Sequence, residues 1–192
     1  MTTTDSPKKK GSVPRWLAIP TAKPQLNTAE VAAKYPRLRF QVFMGIFIGY
    51  ATFYLIRNNV PLVTPILTHE LGFSNAAIGA LSTALLLAYG FSKFFTAMIS
   101  DRSNARLFLP IGLVLSGIAN VLLAIAGYMG SGAAAAGYGA AIASTMAAIM
   151  VFNGIFQGMG WPPSGRVLVN WFSTSERGSK VSLWNTAHNV GG

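Results

Sequence analysis

The chain has 192 residues, 52% of them hydrophobic and only 10% charged, with a formal net charge of +10 and no cysteine. Its apolar residues come in runs of roughly 20 or more rather than in amphipathic stripes, which makes it an all-α integral membrane protein and excludes a soluble domain. Disulfides and thiolate metal sites are excluded, two histidines with no acidic cluster nearby argue against any metal, and the positive charge lies in a tail and short turns, as a membrane orientation signal does and a nucleic-acid surface does not.

Residues 1–36 read as a basic cytosolic tail. Lys8, Lys9 and Lys10 have the look of a signal-peptide n-region, but Pro14, Pro20 and Pro24 interrupt the next stretch and it holds no apolar h-region, so no cleaved leader is expected. Asn27 and Glu30 stand at capping-box spacing for one short helix, against which plain disorder is the preferred reading of this composition.

Four segments are long enough to cross about 30 Å of hydrocarbon: residues 40–63, 75–99, 107–129 and 140–169. A fifth span is expected over 178–192, cut off in mid-helix. Of the 15 lysines and arginines, eight lie in the tail through Arg39, two in the turn holding Arg102 and Arg106, and two at Arg177 and Lys180. The turns near His69 and Ser131 hold none, so the N-terminus and the turns at 100–106 and 172–178 are expected in the cytosol. Gly45 and Gly49, like Gly154 and Gly158, read as close helix-packing positions. Pro162 and Pro163, deep in the fourth span, are expected to free backbone carbonyls and kink the helix.

Three cations lie deep inside these spans, Arg57, Lys93 and His188, while none of the five acidic residues lies in a span interior. A charge at mid-bilayer costs roughly 2.5 to 3.5 kcal/mol on insertion scales, so such residues face a bundle interior or a wet cavity, and unpaired cations there point to an anionic substrate. Tyr50, Tyr54 and Arg57 share one face of the first helix. Arginine suits phosphate because its planar fork donates two hydrogen bonds and stays charged. Arg57 lies about 27 Å along the helix from Arg39, and Lys93, four residues after Tyr89, about 12 Å from Asp101, so outward snorkelling stays open for both. His188, about 15 Å into its span, is too deep to snorkel. Trp184, Asn185 and Asn189 surround it, and a neutral histidine bonded to a neighbouring helix is the alternative. Gln157 and Trp161 are placed to line the same space, and Arg166 to snorkel or pair with a turn. No phosphate loop, activated nucleophile or carboxylate pair is present, so no enzyme is expected.

The strings GYATFYLIRNN (49–59), AYGFSKF (88–94), SDRSNAR (100–106), FQGMGWPPSGR (156–166) and ERGSKVSLWNTAHNVGG (176–192) resemble the organophosphate:phosphate antiporters of the major facilitator superfamily, those that carry glycerol-3-phosphate most of all. The resemblance begins near Arg37 and leaves out the tail. It implies a twelve-helix fold of two six-helix halves in the bacterial inner membrane, of which residues 37–192 are the N-terminal four and a half helices. It also implies exchange of glycerol-3-phosphate for inorganic phosphate by rocking about a central site, with no cofactor. The family's phosphate-binding arginine falls on Arg57, its site lysine on Lys93 and its site histidine on His188, with Tyr50, Tyr54, Trp161 and Asn185 as weaker correspondences and Asp101 and Arg102 as a structural or gating turn. Asn58 departs from a frequent lysine, and Ala97 and Asn104 from glycines of the wider superfamily. The C-terminal half is absent, so these residues alone are not expected to transport. The organophosphate, inorganic phosphate, the bilayer and that missing half are the expected partners. Hexose-phosphate exchange and a non-transporting organophosphate sensor are the competing readings.

Overall fold

The computed structural model describes residues 14–21, 26–133 and 139–192. The lysine run at 8–10 and the alanine-rich stretch after Ala133 lie outside the described residues. Within them the chain forms eight helices: α1 Thr28–Arg57, α2 Asn59–His69, α3 Asn75–Asp101, α4 Ala105–Ala133, α5 Gly139–Gln157, α6 Trp161–Trp171, α7 Thr174–Asn185 and α8 Ala187–Gly191. Four helical stretches, Thr28–His69, Asn75–Asp101, Ala105–Gly130 and Gly139–Trp171, are long and apolar enough to cross a membrane.

The first helix starts earlier than the hydropathy suggests. Asn27 Oδ1 accepts from the Glu30 amide at 2.8 Å while Glu30 Oε2 accepts from the Asn27 amide, so the box closes and residues 28–36, expected as tail, become the opening turns of α1. Substituting Asn27→Ala is expected to cost about 1 kcal/mol of local stability, read as faster amide exchange over the first turn of α1.

Two of these stretches, and the helical segment that follows them, are interrupted at residues that concern the site. α1 gives way to α2 at Asn58, where Asn59 Nδ2 donates back to the Ile56 carbonyl at 3.1 Å. α5 ends at Gln157, and residues 158–160 turn before α6 begins. Pro162 and Pro163 stand in the first turn of α6, where a missing N–H leaves nothing unbonded. The expected proline kink in a continuous span is therefore corrected: the glycine-flanked turn breaks the helix, and the prolines restart it. α7 yields to α8 at Thr186, whose hydroxyl donates to the Leu183 carbonyl at 2.7 Å.

Two apolar clusters hold the bundle. One joins α2, α3, α4 and α5 through Leu67, Phe73, Leu81, Leu85, Leu123 and Met150, and the other joins α1 to α6, α7 and α8 through Phe43, Ile46, Leu168, Phe172 and Trp184. The backbones of α3 and α5 meet at Gly154, where a Cβ would touch the Leu85 carbonyl and the Tyr89 amide. Ser92 Oγ donates to the Gly154 carbonyl and Thr96 Oγ1 to that of Gly158, at 3.4 and 2.9 Å, so the carbonyls at the break are satisfied without water. Outward, Phe91, Phe94 and Phe95 are 67, 72 and 66% exposed, an apolar surface suited to lipid.

At one end of the bundle the segment 14–21 lies as a strap over the turn between α3 and α4. Leu17 is buried, its carbonyl accepts from the Asn104 amide at 2.8 Å, and Ala18 pairs with Ser103 as a short antiparallel bridge. From the inner side Arg166 donates to the carbonyls of Ser100 and Ser103, so strap and guanidinium clamp the turn between them. At the same end the Tyr35 hydroxyl donates to the Trp171 carbonyl at 2.6 Å, and Arg39 pairs with Glu176 in the first turn of α7. The hydrogen bond from Arg39 holds the Glu176 carboxyl below the usual carboxylate range. A carboxylate with a depressed folded-state pKa contributes stability above its unfolded value and loses it as the pH falls through the folded one. Acidification is thus expected to loosen α7 from α1, and Glu176→Gln to remove that pH dependence from the melting curve.

Candidate functional site

The last two turns of α1 carry Tyr50, Tyr54 and Arg57 on one side, as their spacing dictates. Tyr50 is buried and packs on Trp184 of α7 with ring centroids 4.5 Å apart, and Tyr54 meets Tyr50 edge-on at 5.3 Å. Trp184 is anchored in turn by its indole N–H, which donates to the Ile46 carbonyl at 3.3 Å. Tyr54 also faces the His188 ring of α8 at 5.6 Å.

The Arg57 guanidinium turns inward. Its carbon lies 4.3 Å from the centroid of the Tyr54 ring and 4.0 Å from that of Tyr89 on α3, and its Nε donates to Gln157 Oε1 at 3.1 Å. Nη2 is buried and has no hydrogen-bond partner among the described residues. Among the described residues no carboxylate pairs with it. The ammonium of Lys93, one helical turn beyond Tyr89, sits 4.0 Å from the same Tyr89 ring. Two cations are therefore held by aromatic faces and an amide, each a weaker attraction than an ion pair and each easily supplemented by an anion. A buried, unused guanidinium donor is the group that an anionic oxygen would satisfy best.

Arg57, Lys93, His188, Tyr50 and Tyr54 are thus gathered around two tyrosine rings. Trp161 and Asn185 are not: Trp161 is 51% exposed, Asn185 is exposed, and among the described residues no ring contact or hydrogen bond joins either to the arginine. The turn at 158–160 rotates Trp161 out of the i, i+4 alignment with Gln157 that a continuous helix would have produced. Asp101 and Arg102 lie at the strapped end, both exposed, and Asp101 borders a cavity of about 590 Å³ with Ser103, Asn104, Arg106 and Arg166. Among the described residues no three His, Cys, Asp or Glu side chains cluster as metal ligands would.

Two features escaped the sequence. Tyr89 entered only as a marker for Lys93, yet it is the ring shared by both cations. Gln157 belongs to a buried chain: its Nε2 donates to Ser116 Oγ of α4 at 2.7 Å, and Ser116 Oγ donates to Asn153 Oδ1 of α5. The signal available was the isolated run of neutral polar residues, Ser116, Asn153 and Gln157, in otherwise apolar helices.

Residues 46–192 match the sequence profile of the Major Facilitator Superfamily. The chain is 48% identical over 168 residues to the glycerol-3-phosphate transporter of Bacillus subtilis, covering 88% of this chain and 35% of that protein. It is 48% identical over 175 residues to the glycerol-3-phosphate transporter of Haemophilus influenzae, covering 88% of this chain and 34% of the relative. It is 39% identical over 163 residues to the membrane sensor protein UhpC of Escherichia coli, covering 85% of this chain and 34% of the sensor. The chain spans about a third of the length of these curated relatives.

Proposed function

The chain belongs to the major facilitator superfamily, and from that premise we propose that it supplies the N-terminal part of an antiporter that exchanges glycerol-3-phosphate for inorganic phosphate across the bacterial inner membrane, with its N-terminus in the cytosol. The observation that carries this reading is the Arg57 guanidinium, caged by Tyr54 and Tyr89, with a buried donor that no group among the described residues uses. In this reading Arg57 clamps the phosphoryl group and Lys93 adds attraction from the far side of Tyr89. His188, beside Tyr54, donates a hydrogen bond to the substrate. Trp161, Asn185 and the Asp101–Arg102 turn act outside this inner cage, the first two facing what the other half of the protein brings and the turn steadying the cytosolic face. The positive charge of the tail and turns fits this orientation.

Exchange follows from the same electrostatics. An empty site with unneutralised cations resists reorientation through a low-dielectric barrier, and either anion relieves that resistance, so the return step needs a passenger. Alternating access also requires two halves moving about the site, so the activity belongs to the full-length protein.

The test is uptake of labelled glycerol-3-phosphate by proteoliposomes containing the full-length protein, with and without internal phosphate. Uptake that depends on internal phosphate is expected, and equal uptake without it would sink obligatory exchange. A competition series with hexose phosphates assigns the organophosphate. The likeness to a membrane sensor favours one second reading, an organophosphate receptor of the same fold, for which binding without flux is the signature.

A further inference from the structure

We infer that Gln157 is a positioning residue, aiming the Arg57 guanidinium at the phosphoryl group, and that the buried pair Ser116 and Asn153 holds Gln157 in the one orientation that permits this. The inference rests on the reading of Arg57 as the phosphate clamp. Arginine only donates hydrogen bonds, so whatever orients it must present an oxygen. Gln157 does so with Oε1, 3.1 Å from Arg57 Nε. An amide turned over would offer its NH₂ to the guanidinium, donor against donor, and would release the arginine.

In the arrangement the structure records, the rest of the chain opposes that flip. Ser116 Oγ has a single proton, which goes to Asn153 Oδ1, so toward Gln157 it is an acceptor and calls for the amide NH₂. Gln157 Nε2 fills that place at 2.7 Å, leaving Oε1 for the arginine. Gln157 and Asn153 are each 1% exposed and Ser116 0%, so no water competes for these bonds. The rings of Tyr54 and Tyr89 restrict the plane of the guanidinium, and the bond to Nε fixes its rotation within that plane. Together they leave the Nη edge for an anion, and on it lies Nη2, buried and without a partner among the described residues. Gln157 closes α5 and Arg57 closes α1, so the same bond ties two half-helix ends across the bundle.

The experiment is a double-substitution cycle in the full-length protein, reading equilibrium binding of glycerol-3-phosphate and of inorganic phosphate. Gln157→Met keeps the bulk and removes the oxygen, and is expected to weaken binding about tenfold, the size of one hydrogen bond to a charged group. Lysine is a compact charge with no plane to orient. In an Arg57→Lys background the same Gln157→Met change is therefore expected to cost less than about twofold further. A role in packing alone would make the two losses multiply, and that result, or no loss from Gln157→Met in either background, overturns the inference. If Arg57→Lys itself leaves binding unchanged, the clamp reading falls and not merely this one. Should Gln157→Met fail to fold by its melting curve, Ser116→Ala, which removes the hydroxyl that fixes the amide, carries the same cycle. Where binding is too weak to saturate, the uptake KM supplies the ratios, with kcat expected to change less than KM.

Discussion

Arg57→Ala is expected to remove glycerol-3-phosphate and phosphate binding by more than about a hundredfold while leaving the melting temperature unchanged or slightly raised. Truncating one partner of a desolvated charge pair costs about 2 to 5 kcal/mol, and each 1.4 kcal/mol is a factor of ten in affinity. In the empty protein the same side chain is a liability, a half-buried cation with an unpartnered Nη2 and no carboxylate among the described residues. Removing such a charge relieves desolvation, against which stands the loss of the bond to Gln157 Oε1 and of two ring contacts, so little net change in stability is expected. The large loss of binding against a small change in stability is the test. Isotherms and melting curves on the same preparation read both, and a variant that loses stability together with binding would place Arg57 in the framework instead of the site.

Gly154→Leu is expected to cost about 3 kcal/mol or more of bundle stability, at or above the upper end of overpacking penalties. The reason is what the new Cβ meets: the carbonyl of Leu85, the Cβ of Ala88 and the amide of Tyr89, which are largely α3 backbone and cannot swing aside as a side-chain tip can. Gly117→Ala, which meets nothing within 4 Å, is the matched control and is expected to stay within about 0.5 kcal/mol of the parent or to gain from helix propensity. Where the leucine variant still folds, α3 has to move outward and carry the Tyr89 ring away from Arg57. Phosphate affinity then falls with the packing, although Gly154 meets only the backbone of Tyr89 and neither cation. Unfolding in detergent and phosphate binding, measured on both variants, separate the steric effect from any general intolerance of change in these helices.

The spans were legible because the thickness of hydrocarbon dictates the length of an apolar run, and that constraint is written residue by residue. The breaks at Asn58, at 158–160 and at Thr186 were not, since an interruption of one to three residues that keeps its carbonyls bonded barely alters hydropathy. The prolines after Trp161 misled for the same reason: whether a proline kinks a helix or opens one depends on where the preceding turn lies. Of the site, Arg57, Lys93 and His188 stood out as charges or titratable groups in apolar surroundings. Their supports did not. Tyr89 and the chain from Gln157 through Ser116 to Asn153 are neutral, and their meaning lies in pairings across helices remote in sequence, with Ser116 and Gln157 41 residues apart. The capping box at Asn27 was written plainly in its spacing, and what outweighed it was the tail composition around it, a weaker determinant than two reciprocal hydrogen bonds.

The strap over the α3–α4 turn is fastened through main-chain atoms, the Leu17 carbonyl to the Asn104 amide and Ala18 to Ser103, with one buried side chain as its anchor. Trp16 sits beside that anchor and is 64% exposed. Its indole is thereby a native optical gauge, mounted on the strap yet open to solvent, whose emission wavelength follows the polarity of that end of the bundle. Spectra of the wild-type protein, with a Trp16→Phe variant as the blank, would follow the turn without any attached dye.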